Sequence, residues 1–182
     1  MNVIVVPDAS MIVIPLIEKN GHDYLSPSNF SKSDNMDICN GNFSFDNLIN
    51  TYGSSELPSG VRGRLYLFSK VIDKADAAII IGKRPKNRKP MYDALNDLIL
   101  FGGNSCNNAH SLFVKMVRDA GIPTLILAYP LNQEQIIGLI DKTNLFLRNL
   151  NDSNPDDLGV DLHPKKDKCP VFDVKRIVDN LI

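Results

Sequence analysis

Three short apolar runs limit what this chain can become: NVIVV at 2–6, AAIII at 77–81 and TLILA at 124–128. A strand wetted on one face alternates apolar and polar side chains, whereas an unbroken β-branched run is covered on both faces. Runs of the second kind belong inside a parallel sheet, and parallel neighbours need helical crossovers between them. The intervening sequence supplies them. After the first run, Pro7-Asp8-Ala9 turns the chain and Ser10 can cap a helix whose apolar side is Met11, Ile12, Ile14, Leu16 and Ile17. Asn20-Gly21 stops that helix. Pro15 lacks a backbone donor, so a kink or a late start is expected there. A short second strand is expected over 22–25, a helix over 60–74, and a long helix over 133–150. The stretch 91–101 fits either an amphipathic helix or a short apolar segment, and a helix of about 12 residues should follow GGNSCNNAH at 102–110.

The expected fold is therefore α/β: a small Rossmann-like or flavodoxin-like parallel sheet of about four strands, helices on both faces, strand order 2-1-3-4. One domain over 1–150 is expected, with a long polar insertion at 26–57 that serves as a lid or a peripheral addition. Residues 151–182 read as a C-terminal extension, in which 171–182 can form a terminal helix.

Composition narrows the function classes. A formal charge of −1, with 43% hydrophobic and 23% charged residues, gives no global case for nucleic acid or an anionic membrane. No apolar run reaches the roughly 20 residues that span a bilayer, and MNVIVVPD lacks the basic start of a signal peptide. Cys39, Cys106 and Cys169 are far apart, which argues against a disulfide framework and against a CxxC metal site. A reducing cytoplasm is the expected compartment, and no metal is expected.

In such a sheet the strand C-termini and helix N-termini share one edge, where ligands bind. Five segments should meet there: 7–10, 58–64, 82–88, 102–110 and 129–132. PSGVRGR is the most anion-friendly of them. Ser59 can cap, Gly60 and Gly63 permit close backbone approach, and Arg62 and Arg64 supply guanidinium forks. The bland alternative is a solvated helix start with ordinary surface arginines. Neither GxxxxGK[ST] nor GxGxxG occurs in the chain. KRPKNRKP adds Lys83, Arg84, Lys86, Arg88 and Lys89, for which the alternatives are a solvated loop, a phosphate site or a docking patch for an acidic protein. Without aromatic interleaving, the run speaks against sequence-specific nucleic-acid binding.

GGNSCNNAH offers a turn at Gly102-Gly103, a cap at Asn104 or Ser105, and Cys106 in the first helical turn, where the dipole lowers a thiol pKa. His110 lies four residues on, on the same helical face, as a candidate base. The alternative is a cap, an inert cysteine and a packed histidine. Asp8 can meet a cation or a ligand, or form an Asx turn. His22 and His163 are isolated and receive no role.

Over ELPSGVRGRLYLFSKVIDKADAAIII and HSLFVKMVRDAGIPTLILAYP, with the opening strand and the NGH after its helix, the chain resembles the methanogenesis marker protein five family. The likeness spans roughly 1–150, and PSGVRGR is its most specific piece. It implies an archaeal accessory protein, a maturation, assembly or activation factor for methyl-coenzyme M reductase, with that enzyme or its activation components as partner. It carries no catalytic residue over to this chain and names no cofactor. Two further classes stand beside it: a small enzyme with Cys106 as nucleophile and His110 as base, and a plain nucleotide-binding module, flavin-like or otherwise, resting on fold analogy.

Overall fold

The computed structural model describes residues 1–27, 51–52, 57–87, 94–102 and 107–151. Its strands are β1 (Asn2–Val6), β2 (Asp23–Tyr24), β3 (Ala77–Ile81) and β4 (Thr124–Leu127). Its helices are α1 (Val13–Lys19), α2 (Ser59–Ile72), α3 (Ala94–Phe101), α4 (Asn107–Ala120) and α5 (Gln133–Asn151). Most of the 26–57 insertion and the extension beyond 151 lie outside the described residues, as do 88–93 and 103–106.

The sheet has four strands in the order β2-β1-β3-β4, all parallel. This matches the expected order, which is one of several that right-handed crossovers allow on a parallel sheet. Register follows the alternation of side chains. Val3, Val5, Ala77, Ile79, Ile81, Leu125 and Leu127 form one core with Val13 and Ile17 of α1, Leu100 and Phe101 of α3, and Leu139, Phe146 and Leu147 of α5. Ile4, Val6, Ala78 and Ile80 face the other way, against Val61, Leu65 and Phe68 of α2 and Ala109, Phe113, Met116 and Val117 of α4. Phe68 and Phe113 stack with centroids 4.4 Å apart. Each buried Val, Leu, Ile, Phe or Met side chain contributes about 1.5–3 kcal/mol, which explains why both faces of the runs stayed apolar.

Local chemistry fixes the helix ends. Ser10 is fully buried, and its Oγ accepts the Val13 N–H at 3.3 Å, although the N-cap residue of α1 is Ile12 and not Ser10. The helix starts late, as Pro15 required, because the third helical position lies in the first turn, where a missing N–H has no intrahelical partner to lose. At its other end, Gly21 adopts φ +79°. Its N–H bonds the Glu18 carbonyl at 3.1 Å and the His22 N–H bonds the Ile17 carbonyl at 3.1 Å, the paired pattern of a Schellman motif. His22 Nε2 then meets the Leu147 carbonyl at 2.8 Å, tying α1 to α5. The NGH tripeptide is thus a helix stop followed by a clamp. The ambiguous stretch 91–101 resolves as α3, and 91–93 fall outside the described residues.

Candidate functional site

Parallel pairing puts the C-terminal ends of β1, β3 and β4, namely Val6, Ile81 and Leu127, at one edge. α2 comes back to the opposite edge, where the Asp76 N–H after it bonds the Asn2 carbonyl at 2.8 Å. Its first turn therefore lies at the C-terminal edge, beside that of α4.

The start of α2 differs from expectation in its cap. Pro58, not Ser59, is the N-cap residue, and no side chain caps the helix. The Pro58 carbonyl accepts the Val61 and Arg62 N–H groups at 2.9 and 3.1 Å. Pro58 can take this place because its extended backbone (ψ 141°) needs no donor. Ser59, Gly60, Gly63 and Arg64 are exposed. Arg62 is half-buried, and its Nε is buried without a hydrogen-bond partner among the described residues.

The loop after β3 separates two cations that look alike in sequence. Lys83 is exposed, and its Nζ donates to Ser111 Oγ on α4. Arg84 pairs with Asp97, whose side chain is only 5% exposed. The second acceptor oxygen of that carboxylate takes the Tyr129 hydroxyl at 2.9 Å. Arg84 is therefore engaged in holding α3 against the sheet edge and is not the open anion-binding cation that KRPKNRKP suggests. Asp97 and the Tyr129 hydroxyl had no place in the sequence reading. The available signal was a lone acid inside the apolar run ALNDLILF, which is tolerated only with a buried partner.

The loop after β1 is likewise engaged in structure. The Asp8 carbonyl accepts the Tyr24 hydroxyl, and burial pushes the Tyr24 phenol up to about 12. Asn132 Oδ1 accepts the Gln135 N–H at 2.9 Å, while Gln135 Oε1 accepts the Leu131 N–H at 2.6 Å, a reciprocal start for α5.

In GGNSCNNAH the described residues split the two readings. Gly102 ends α3 with φ +66°, and a Cβ there would come 2.6 Å from the Ala9 Cβ and 2.8 Å from the Ala9 carbonyl oxygen. That glycine is punctuation with a packing reason. Asn104, Ser105 and Cys106 lie outside the described residues. His110 is 5% exposed. Its Nε2 lies 2.7 Å from the carbonyl of Ile81, the last residue of β3, and its Nδ1 is buried without a partner among the described residues. Burial pushes the imidazole below its ordinary 6.5, and Lys83 adds to this against the opposing hydrogen bond to Ile81.

The edge thus carries the cationic side chains of Arg62, Arg64 and Lys83, with two helix N-termini adding partial positive charge. Such a surface favours an anion or an acidic partner segment. Among the described residues no group of three or more His, Cys, Asp or Glu is placed to hold a metal ion. None of their helices is long and apolar enough to cross a membrane.

Comparison with known proteins adds context. The chain is 35% identical over 102 residues to the uncharacterized protein MJ0404 of Methanocaldococcus jannaschii, a match covering 56% of this chain and 59% of that relative. The chain thus spans somewhat under two thirds of the length of that relative. No solved structure matches the chain. The match to the family described as "Uncharacterized protein conserved in archaea (DUF2112)" covers residues 1–150, all of the sheet and nearly all of α5, and the chain belongs to that archaeal family.

Proposed function

We propose that this protein is an accessory factor of methanogenesis, serving the assembly, maturation or activation of methyl-coenzyme M reductase. It engages a partner protein or a small anionic ligand at the C-terminal edge of its sheet. The observation that carries the binding reading is Arg62, a half-buried guanidinium at the start of α2 whose Nε is buried without an acceptor among the described residues. A guanidinium is always charged, and leaving one of its donors buried and unsatisfied is costly unless an acceptor arrives. The assignment to methanogenesis rests on the likeness carried by PSGVRGR and its flanking helix and strand. A relative in Methanocaldococcus jannaschii is in keeping with it.

The test is affinity capture of the full chain from the native cell, paired with deletion of its gene. Recovery of the reductase or its activation components, reduced by Arg62→Ala, is the expected result. A deletion strain whose reductase is assembled, modified and active to the normal degree removes the reading.

A further inference from the structure

The outward face of α3 is apolar where a surface helix is ordinarily polar. Leu95 is 68% and Leu98 48% exposed, and residues three apart are neighbours on a helix surface. Met11 borders them, because its N–H donates to the Ile99 carbonyl at 2.9 Å, and it is 60% exposed. Exposed apolar side chains are ordinary when single; a contiguous group marks a face that something covers. α5 offers a poorer face, since its exposed Ile137 and Leu145 lie about two turns apart with the exposed Asp141 between them.

The course of the chain tells which segment can reach the α3 face. α3 and α5 lie on one side of the sheet, and Leu150, near the end of α5, belongs to that core. The chain beyond 151 therefore leaves on the same side as α3. The insertion at 26–57 belongs to the other side, where Leu25, Tyr52 and Leu57 at its two ends pack against the opposite core. Within residues 171–182, VFDVKRIVDNLI, the positions Val174, Ile177, Val178 and Leu181 have the i, i+3, i+4, i+7 spacing of one helical face. A helix this short is marginal alone, so its apolar stripe needs a surface to pack on.

The reach is sufficient. α5 starts at the C-terminal edge and runs toward the opposite one, where His22 meets the Leu147 carbonyl; its 19 residues make it about 28 Å long. Residues 152–170 span about 24 Å as a flexible chain and about 60 Å fully extended, enough to return to α3. A tether of this kind holds the segment at a roughly millimolar effective concentration, which a second copy does not match in dilute solution.

We propose that residues 171–182 fold back within the same chain as a helix and cover the apolar face of Leu95, Leu98 and Met11. The contact lies beside the loop after β1, so the tail flanks the edge to which partner binding is assigned above. The inference is independent of the accessory-factor reading.

Cys169, two residues before the segment, provides the attachment point for a nitroxide label in the full chain carrying Cys39→Ser and Cys106→Ser. The amide NMR signals of Leu95, Leu98 and Met11 should be lost beside the label, at every protein concentration, and should return when the label is reduced. Leu98→Glu and Ile177→Glu, one on each side of the contact, should each restore them with the label intact. Leu98 is exposed, so its substitution leaves the core untouched. Loss that occurs only when label and isotope are on different molecules overturns the inference and assigns the face to a second copy. Loss centred on Ile137 and Leu145, or no loss at all, overturns it as well. Loss that persists in both variants overturns the apolar contact. Each of these outcomes leaves the accessory-factor reading as it stands.

Discussion

A single carboxylate decides how the sheet edge is organised. Asp97 is buried in α3 and gathers Arg84 from the loop after β3 and Tyr129 from the loop after β4. Asp97→Ala would leave a guanidinium and a hydroxyl without their partner, and a loss of about 3–5 kcal/mol is expected in urea unfolding. Replacing Arg84 and Asp97 together by apolar residues should cost clearly less, because no charge is then stranded. Gly102 works through space rather than charge. Gly102→Ala forces a left-handed φ and a clash with Ala9, for an expected loss of about 2–4 kcal/mol. Gly21→Ala shares the left-handed φ but meets nothing within 4 Å, so about 1–2 kcal/mol is expected. The difference between the two unfolding midpoints measures the clash. The sequence marked Gly102 as a turn residue, because Gly-Gly before a helix is a local signal. It did not mark Asp97, whose partners lie 13 and 32 positions away (84 to 97, and 97 to 129).

At the scale of elements, the helices were legible by their apolar spacing and their ends by their caps. Ser10 was readable as a residue at the start of α1 because start signals are local, but the N-cap residue is Ile12 and no side chain caps the helix; Ser10→Ala removes the buried acceptor of the Val13 N–H and should cost about 1–2 kcal/mol in thermal or urea unfolding. Ser59 was misread as a cap for the same local reason, since Pro58 and Ser59 both suit a helix start and only the backbone angles separate them. The seam between α2 and α4 was not readable in detail, though each apolar stripe was. Phe68, 1% exposed and stacked on Phe113, anchors that seam. Phe68→Ala should lower stability by about 3–5 kcal/mol in urea unfolding.

For the molecule as a whole, His110 links stability to pH. Its imidazole is held below the ordinary value of 6.5 in the folded chain, chiefly by burial. The unfolded chain therefore takes up the proton first as pH falls, which favours unfolding. This contribution to stability is complete above the unfolded value, declines as pH drops below it, and levels off below the folded value. Urea midpoints measured from about pH 7 to about pH 5, the range where histidine charge changes, should fall more steeply for the unaltered protein than for His110→Gln. Parallel slopes would show that His110 is not the group responsible.

The sequence by itself determined the parallel sheet and its two-sided burial, while the strand order it only suggested is settled by the structure. Those follow from short-range facts: β-branched runs, the period of apolar residues, and the handedness that crossovers obey. It also brought PSGVRGR and His110 to one edge, because topology alone sends helix starts there. Only the tertiary structure decided which polar groups at that edge are engaged and which are left over. Arg84 and Lys83 are neighbours in one basic run, yet a buried carboxylate claims the first and the second reaches Ser111 on α4. Hydrogen bonding and desolvation depend on what lies within about 3 Å, and in a folded chain those neighbours come from segments that the sequence keeps far apart.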